Sequence, residues 1–90
     1  MKKILIGESI RDARLMAEIE YNWKRTGQMI VTDDEGDEVK IIDCLDLDYN
    51  IRGYSMVGVY FTPRGKMKVS QRDWDLLRHY ENTGRVKFLN

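Results

Sequence analysis

Two segments of the chain share one grammar, and it constrains the fold more than any other feature. Ser9-Ile10-Arg11-Asp12 is followed by Arg25-Thr26-Gly27, and Ser70-Gln71-Arg72-Asp73 by Asn82-Thr83-Gly84. In each, the serine can accept the backbone N–H three residues on while the aspartate reaches back, a capping box with Asp in place of the usual Glu, and glycine supplies a left-handed stop. The spacing predicts two helices, each leading into a strand. Helix caps draw on few residue types, so the match is read as convergence rather than as an internal repeat. On a helical wheel Ile10, Ala13, Leu15, Met16, Ala17, Ile19, Tyr21 and Trp23 fall on one broad arc, opposite Arg11, Arg14, Glu18 and Arg25. The first helix is therefore expected to lie on a sheet. The second is expected to bury Trp74, Leu76, Leu77 and Tyr80.

The strands between and around these helices are short. Lys2-Lys3-Ile4-Leu5-Ile6-Gly7 reads as a buried opening strand ended by glycine. Gln28 to Thr32 and Glu38 to Ile42 flank the turn-forming Asp33-Asp34-Glu35-Gly36-Asp37 and predict a hairpin with an acidic tip. Leu45-Asp46-Leu47-Asp48-Tyr49 alternates strictly, which predicts a half-buried strand with Asp46 and Asp48 on its wet face. Tyr54 to Thr62 is apolar at both parities, as a central strand covered on both faces would be. Thr62-Pro63-Arg64-Gly65-Lys66 is read as a turn followed by a short strand over Met67, Lys68 and Val69, and Arg85 to Leu89 as the closing strand. The order is β-α-β-β-β-β-α-β, and no linker divides it. The expectation is one α+β domain over residues 1–90, a two-layer sandwich of two helices on a mainly antiparallel sheet.

Composition enters here to exclude. Leu, Ile, Val and Phe number 23 of 90 residues, enough for a core. No apolar run approaches a membrane span and the Met-Lys-Lys start lacks a signal-peptide core, so the expected location is cytoplasmic, with no membrane partner. A single cysteine, Cys44, rules out an intrachain disulfide, and a single histidine, His79, rules out a Cys/His zinc cluster within one chain. The balance of 15 basic against 15 acidic residues conceals three blocks. Residues 1–32 carry net +2, residues 33–48 net −7 and residues 49–90 net +5.

Motifs for chemistry are sparse. No serine or cysteine triad can be assembled around His79, and Cys44, flanked by Asp43, reads as a small core residue rather than a thiolate. Asp46-Leu47-Asp48-Tyr49-Asn50 begins like a calcium loop, but Ile51 stands where glycine is needed and Val57 where the bidentate glutamate is needed. Neither nucleotide-binding glycine motif occurs; an anion at the joint of the first strand and helix, near Arg11, would be opposed by Glu8. Arg52 to Val59 can be laid on the RNA-recognition-motif pattern, matching at Arg52, Gly53, Tyr54 and Val57 but missing the stacking aromatics at Met56 and Val59. This is an analogy of layout only. No catalytic residues, metal ligands or cofactor are expected.

By exclusion, the leading expectation is a small non-enzymatic regulatory or inhibitory protein, of the bacteriophage accessory type, acting through contact with a protein partner or a second copy. The acidic residues Asp33, Asp34, Glu35, Asp37, Glu38, Asp46 and Asp48 are its candidate partner-binding set. An apolar anchor would come from the edges of the first helix or from Leu45 to Tyr49. The first alternative is a nucleic-acid binder using Arg52, Tyr54, Tyr60, Arg64, Lys66, Lys68 and Arg72. The second is a small-molecule or nucleotide-binding protein with a pocket between helix and sheet.

Overall fold

The computed structural model describes residues 2–52 and 58–90. Its opening follows from local chemistry. The apolar run becomes β1 (Lys2–Gly7), and Ser9 caps α1 (Ile10–Leu15), its hydroxyl accepting the Asp12 N–H at 3.1 Å. The reciprocal half of the capping box lands one residue earlier, the Asp12 carboxylate accepting the N–H of Glu8 at 2.9 Å. Beyond Leu15 the helix widens into a π-helical segment (Met16–Glu20) and ends at Asn22, which adopts the left-handed conformation at φ 57°. We refer to residues 10–20 as helix one. Asparagine tolerates this geometry, so the stop comes five residues before Gly27, the residue expected to provide it. Gly27 instead closes an unexpected strand, β2 (Lys24–Gly27).

The acidic hairpin forms where its turn residues predict it. β3 (Ile30–Thr32) pairs antiparallel with β4 (Glu38–Asp43). The next segment overturns an expectation, because Leu45 to Tyr49 is helical. A 3₁₀ turn (Cys44–Asp46) runs into α2 (Leu47–Arg52), capped by the Asp43 carboxylate on the Leu45 N–H at 2.9 Å. Cys44, Leu47 and Asn50 point inward at helical spacing, whereas Leu45 and Tyr49 are 87% and 83% exposed. The alternation of Leu and Asp is thus a coincidence between two periods.

β5 (Gly58–Phe61) is buried along its whole length, as the central-strand reading requires, while residues 54–57 of that expected strand lie outside the described residues. Thr62-Pro63 then starts α3 (Pro63–Lys68) instead of a turn and strand. The Thr62 hydroxyl accepts the Gly65 N–H at 2.9 Å, and proline occupies the first helical turn, where its missing donor costs nothing. α4 (Gln71–Asn82) begins at its predicted Ser70 cap, and Val86–Phe88 forms β6.

The sheet runs β2-β3-β4-β1-β5-β6. β1 pairs parallel with both β4 and β5, β5 pairs parallel with β6, and only the β2–β3–β4 pairings are antiparallel. The sheet is therefore mixed, with a parallel centre, and four α-helices accompany it where two were expected. Its alternating side chains feed two cores. Ile4, Ile6, Ile42, Val59 and Phe61 meet Leu47, Leu77 and Trp74 on one face. Leu5, Val39, Ile41 and Tyr60 meet Ala13, Ala17 and Trp23 on the other. Helices on both faces make three layers in place of the two expected, and explain why strand residues of both parities are apolar. No helix among the described residues is long and apolar enough to cross a membrane.

Candidate functional site

In open parallel sheets ligands usually sit beyond the carboxyl ends of the strands, where the chain changes direction across the sheet. That position lies between β1 and β5, and the polar groups at its floor bond to one another. The Asp12 carboxylate, already bound to the Glu8 N–H, also accepts the Thr62 hydroxyl, so it fills the place an anion would take. Gly65 of α3 presses on the end of β1: a Cβ there would run into the Ile6 carbonyl oxygen. The floor of this joint is filled, while Glu8, Ser9, Asp12 and Arg64 at its rim line a groove that continues along helix one.

The acidic hairpin is folded inward at the opposite, amino end of the strands. Asp33 Oδ1 accepts the N–H groups of Glu35 and Asp37 at 3.0 and 2.9 Å, shaping the turn that Gly36 completes at φ 80°. Its Oδ2 accepts from Lys3 Nζ at 2.8 Å and from the Tyr60 hydroxyl at 2.7 Å. Glu35 and Asp37 each place a carboxylate oxygen 2.9 Å from the same ammonium. The three carboxylates have the spacing of a cation site, and Lys3 supplies the cation. Burial alone would raise the Asp33 pKa, but the Lys3 ammonium and the Tyr60 hydroxyl outweigh it and hold the carboxyl below its ordinary value. Burial also opposes the charge on Lys3, yet its carboxylate partners raise its pKa. Burial, together with the hydrogen bond to Asp33, pushes the Tyr60 hydroxyl up to about 12.

The candidate acidic set is therefore divided. Asp33, Glu35 and Asp37 are engaged by Lys3; Asp34, Glu38 and Asp46 are exposed; Asp48 on α2 lies 3.6 Å from Arg72. The candidate basic set is divided too. Tyr60 is only 6% exposed and committed to Asp33, so it offers no stacking face. Tyr54 and the Arg52 side chain lie outside the described residues. Arg64, Lys66 and Lys68 project from α3, and Lys66 Nζ lies 4.3 Å above the Phe88 ring. Beside it an open groove of about 600 Å³ is lined by Gln71, Trp74, Arg78 and Phe88, none of which the sequence singles out as a site.

A second groove, of about 510 Å³, runs along helix one and is lined by Glu8, Ser9, Arg11, Asp12, Leu15, Met16, Ile19, Glu20 and Arg64. Leu15 is 49% and Ile19 71% exposed, although the helical wheel places both on the buried arc. Ala13 and Ala17 form the buried stripe instead. Small residues bring helix one close to the sheet and narrow the face it can bury, and the π segment shifts the later positions off the regular wheel. The signal available in the sequence was the bulk of Leu15 and Ile19 next to alanines.

Cys44 is buried, and burial together with the neighbouring Asp43 pushes its thiol pKa up, which disfavours the thiolate. His79 is exposed on α4, edge-on to Tyr80. Comparison with known protein families, curated proteins and solved structures finds no match to this chain.

Proposed function

We propose that the protein is a small non-enzymatic regulatory or inhibitory module that acts by binding a protein surface, with the groove along helix one as its contact. One observation carries this reading. Leu15 and Ile19 are large apolar side chains left in water, one turn apart, between charged residues of both signs. An apolar centre with a charged rim is the composition of a protein interface. The exposed Asp34 and Glu38 are far less suited to anchoring, because rim charges set rate and partner choice more than affinity. The test compares immobilised wild type with a Leu15→Asp/Ile19→Asp variant, each exposed to nuclease-treated lysate and to the purified chain. The reading expects wild type to retain protein and the variant to lose it. Equal retention by both would overturn it.

A second reading is favoured by one specific feature, the corner where Lys66, Arg78, Trp74 and Phe88, with Glu81, line a groove, Lys66 coming from the same helix as Arg64 and Lys68. Cations beside aromatic rings suit single-stranded nucleic acid. It expects salt-dependent binding that is lost in an Arg64→Ala/Lys66→Ala/Lys68→Ala variant, and unchanged binding in that variant would reject this corner.

A further inference from the structure

We infer that the occupant of the helix-one groove is a second copy of this chain, laid antiparallel across it to form a symmetric dimer. The inference rests on the protein-binding reading above and names its partner.

Arg14 and Glu18 are taken up within the chain: Glu18 lies 3.7 Å from Arg14 and 3.2 Å from Arg25. Arg11 and Glu20 are exposed, and no ion pair or hydrogen bond among the described residues engages their side chains. They sit at opposite ends of the same groove, with opposite sign.

A two-fold contact must be self-complementary, so that each residue meets its counterpart twice. The groove side of helix one presents two adjacent sets of residues, Arg11-Leu15-Ile19 and Asp12-Met16-Glu20, all of which line it. A two-fold axis between Leu15 and Met16 exchanges these sets. Arg11 then meets Glu20 of the second copy, Leu15 meets Met16, and Ile19 lies against the first turn. Asp12 also lines the groove and faces Ile19 in this arrangement, but its carboxylate is already satisfied by the Thr62 hydroxyl and the Glu8 N–H. The pairing therefore places apolar groups at the centre and two cation–carboxylate pairs at the ends, with Glu8 and Arg64 as further charged residues of the rim. Eleven residues from Ile10 to Glu20 span about 16 Å, so the contact falls below the roughly 800 Å² per partner of a long-lived complex. The dimer is expected to be concentration-dependent.

The test uses Arg11→Glu and Glu20→Arg in the full chain, with mass followed by sedimentation over a concentration series. Wild type should move from 10.7 kDa towards twice that mass as concentration rises. Each single variant places two like-charge pairs in the contact and should weaken self-association by at least about tenfold. An equimolar mixture of the two variants should dimerise, because one chain then carries a carboxylate at both ends of the groove and the other a guanidinium at both ends. Dimerisation of the mixture also shows that both variants are folded. A wild type that stays monomeric at every concentration, or single variants that dimerise like wild type, would overturn the inference. Loss of a captured foreign protein in Leu15→Asp/Ile19→Asp, alongside a monomeric wild type, would overturn the dimer and leave the protein-binding reading standing. If that variant changes neither mass nor capture, both fall.

Discussion

At the amino end of the parallel strands the charged groups are consumed by one another, whereas along helix one charged groups stand apart and apolar side chains face water. Lys3, Asp33, Glu35, Asp37 and Tyr60 form a closed network around one ammonium. Arg11, Leu15, Ile19 and Glu20 line an open groove. The contrast separates two uses of the same residue types. Charge that is buried and paired locks the hairpin to β1, because removing either partner strands the other in a poorly solvated place. Charge and apolar surface left in water contribute little to folding and are available for binding.

The sharpest way to break this contrast is Lys3→Met, which leaves the Asp33 carboxylate buried without its cation. It should cost about 3–5 kcal/mol in urea unfolding. Adding Asp33→Asn removes the stranded charge while keeping an acceptor for the turn, and should recover part of the loss. Tyr60→Phe removes one donor to Asp33 and should cost about 1–3 kcal/mol.

The pH dependence of stability belongs to the same end of the molecule. Asp33 is held below its ordinary 3.8, so its contribution is fully present above that pH and is lost as pH falls through the lower folded value. The Tyr60 pKa rises from 10.0 to about 12, so its contribution is fully present below pH 10 and is lost as pH climbs towards 12. Lys3, raised above its ordinary 10.5, adds to the alkaline limb, so unfolding curves across pH should show the acid limb flattened in Lys3→Met/Asp33→Asn and the alkaline limb reduced, with the Lys3 part remaining, in Tyr60→Phe. At the small end of the scale, Ile19→Asp should change stability by less than about 0.5 kcal/mol while abolishing association. A large loss of stability in Ile19→Asp would mean that the groove lining is part of the core after all.

The elements with strong local chemistry were legible in the sequence. The opening strand, the Ser9 and Ser70 caps, the acidic turn, the described part of the central strand and β6 stand where residue types placed them. What failed were arguments from period over short windows. Five alternating residues from Leu45 to Tyr49 fit a strand and a helix equally until the Asp43 cap decides. Thr62-Pro63 carries a helix-start signal that proline's role in turns obscures. Strand direction was illegible because the choice between parallel and antiparallel pairing depends on where α2 and α3 carry the chain, and neither helix is evident from its residues. Among the candidate site residues, identity as charged or aromatic was readable but accessibility was not. Only the fold reveals that Tyr60 and Asp33 face each other across the strands.

The position of β1 in the sheet also governs how the chain can reach this fold. Lys3 registers with Val39 on one side and Gly58 on the other, 36 and 55 residues later in sequence. Such separations make strand pairing slow compared with helix formation, since a long loop must close before any contact rewards it. On the ribosome both edges of an apolar strand stay open until its partners emerge, which makes Ile4-Leu5-Ile6 the segment most exposed to mispairing. The adjacent lysines, Lys2 and Lys3, put positive charge beside that segment, and charge flanking an apolar strand disfavours its pairing with another chain.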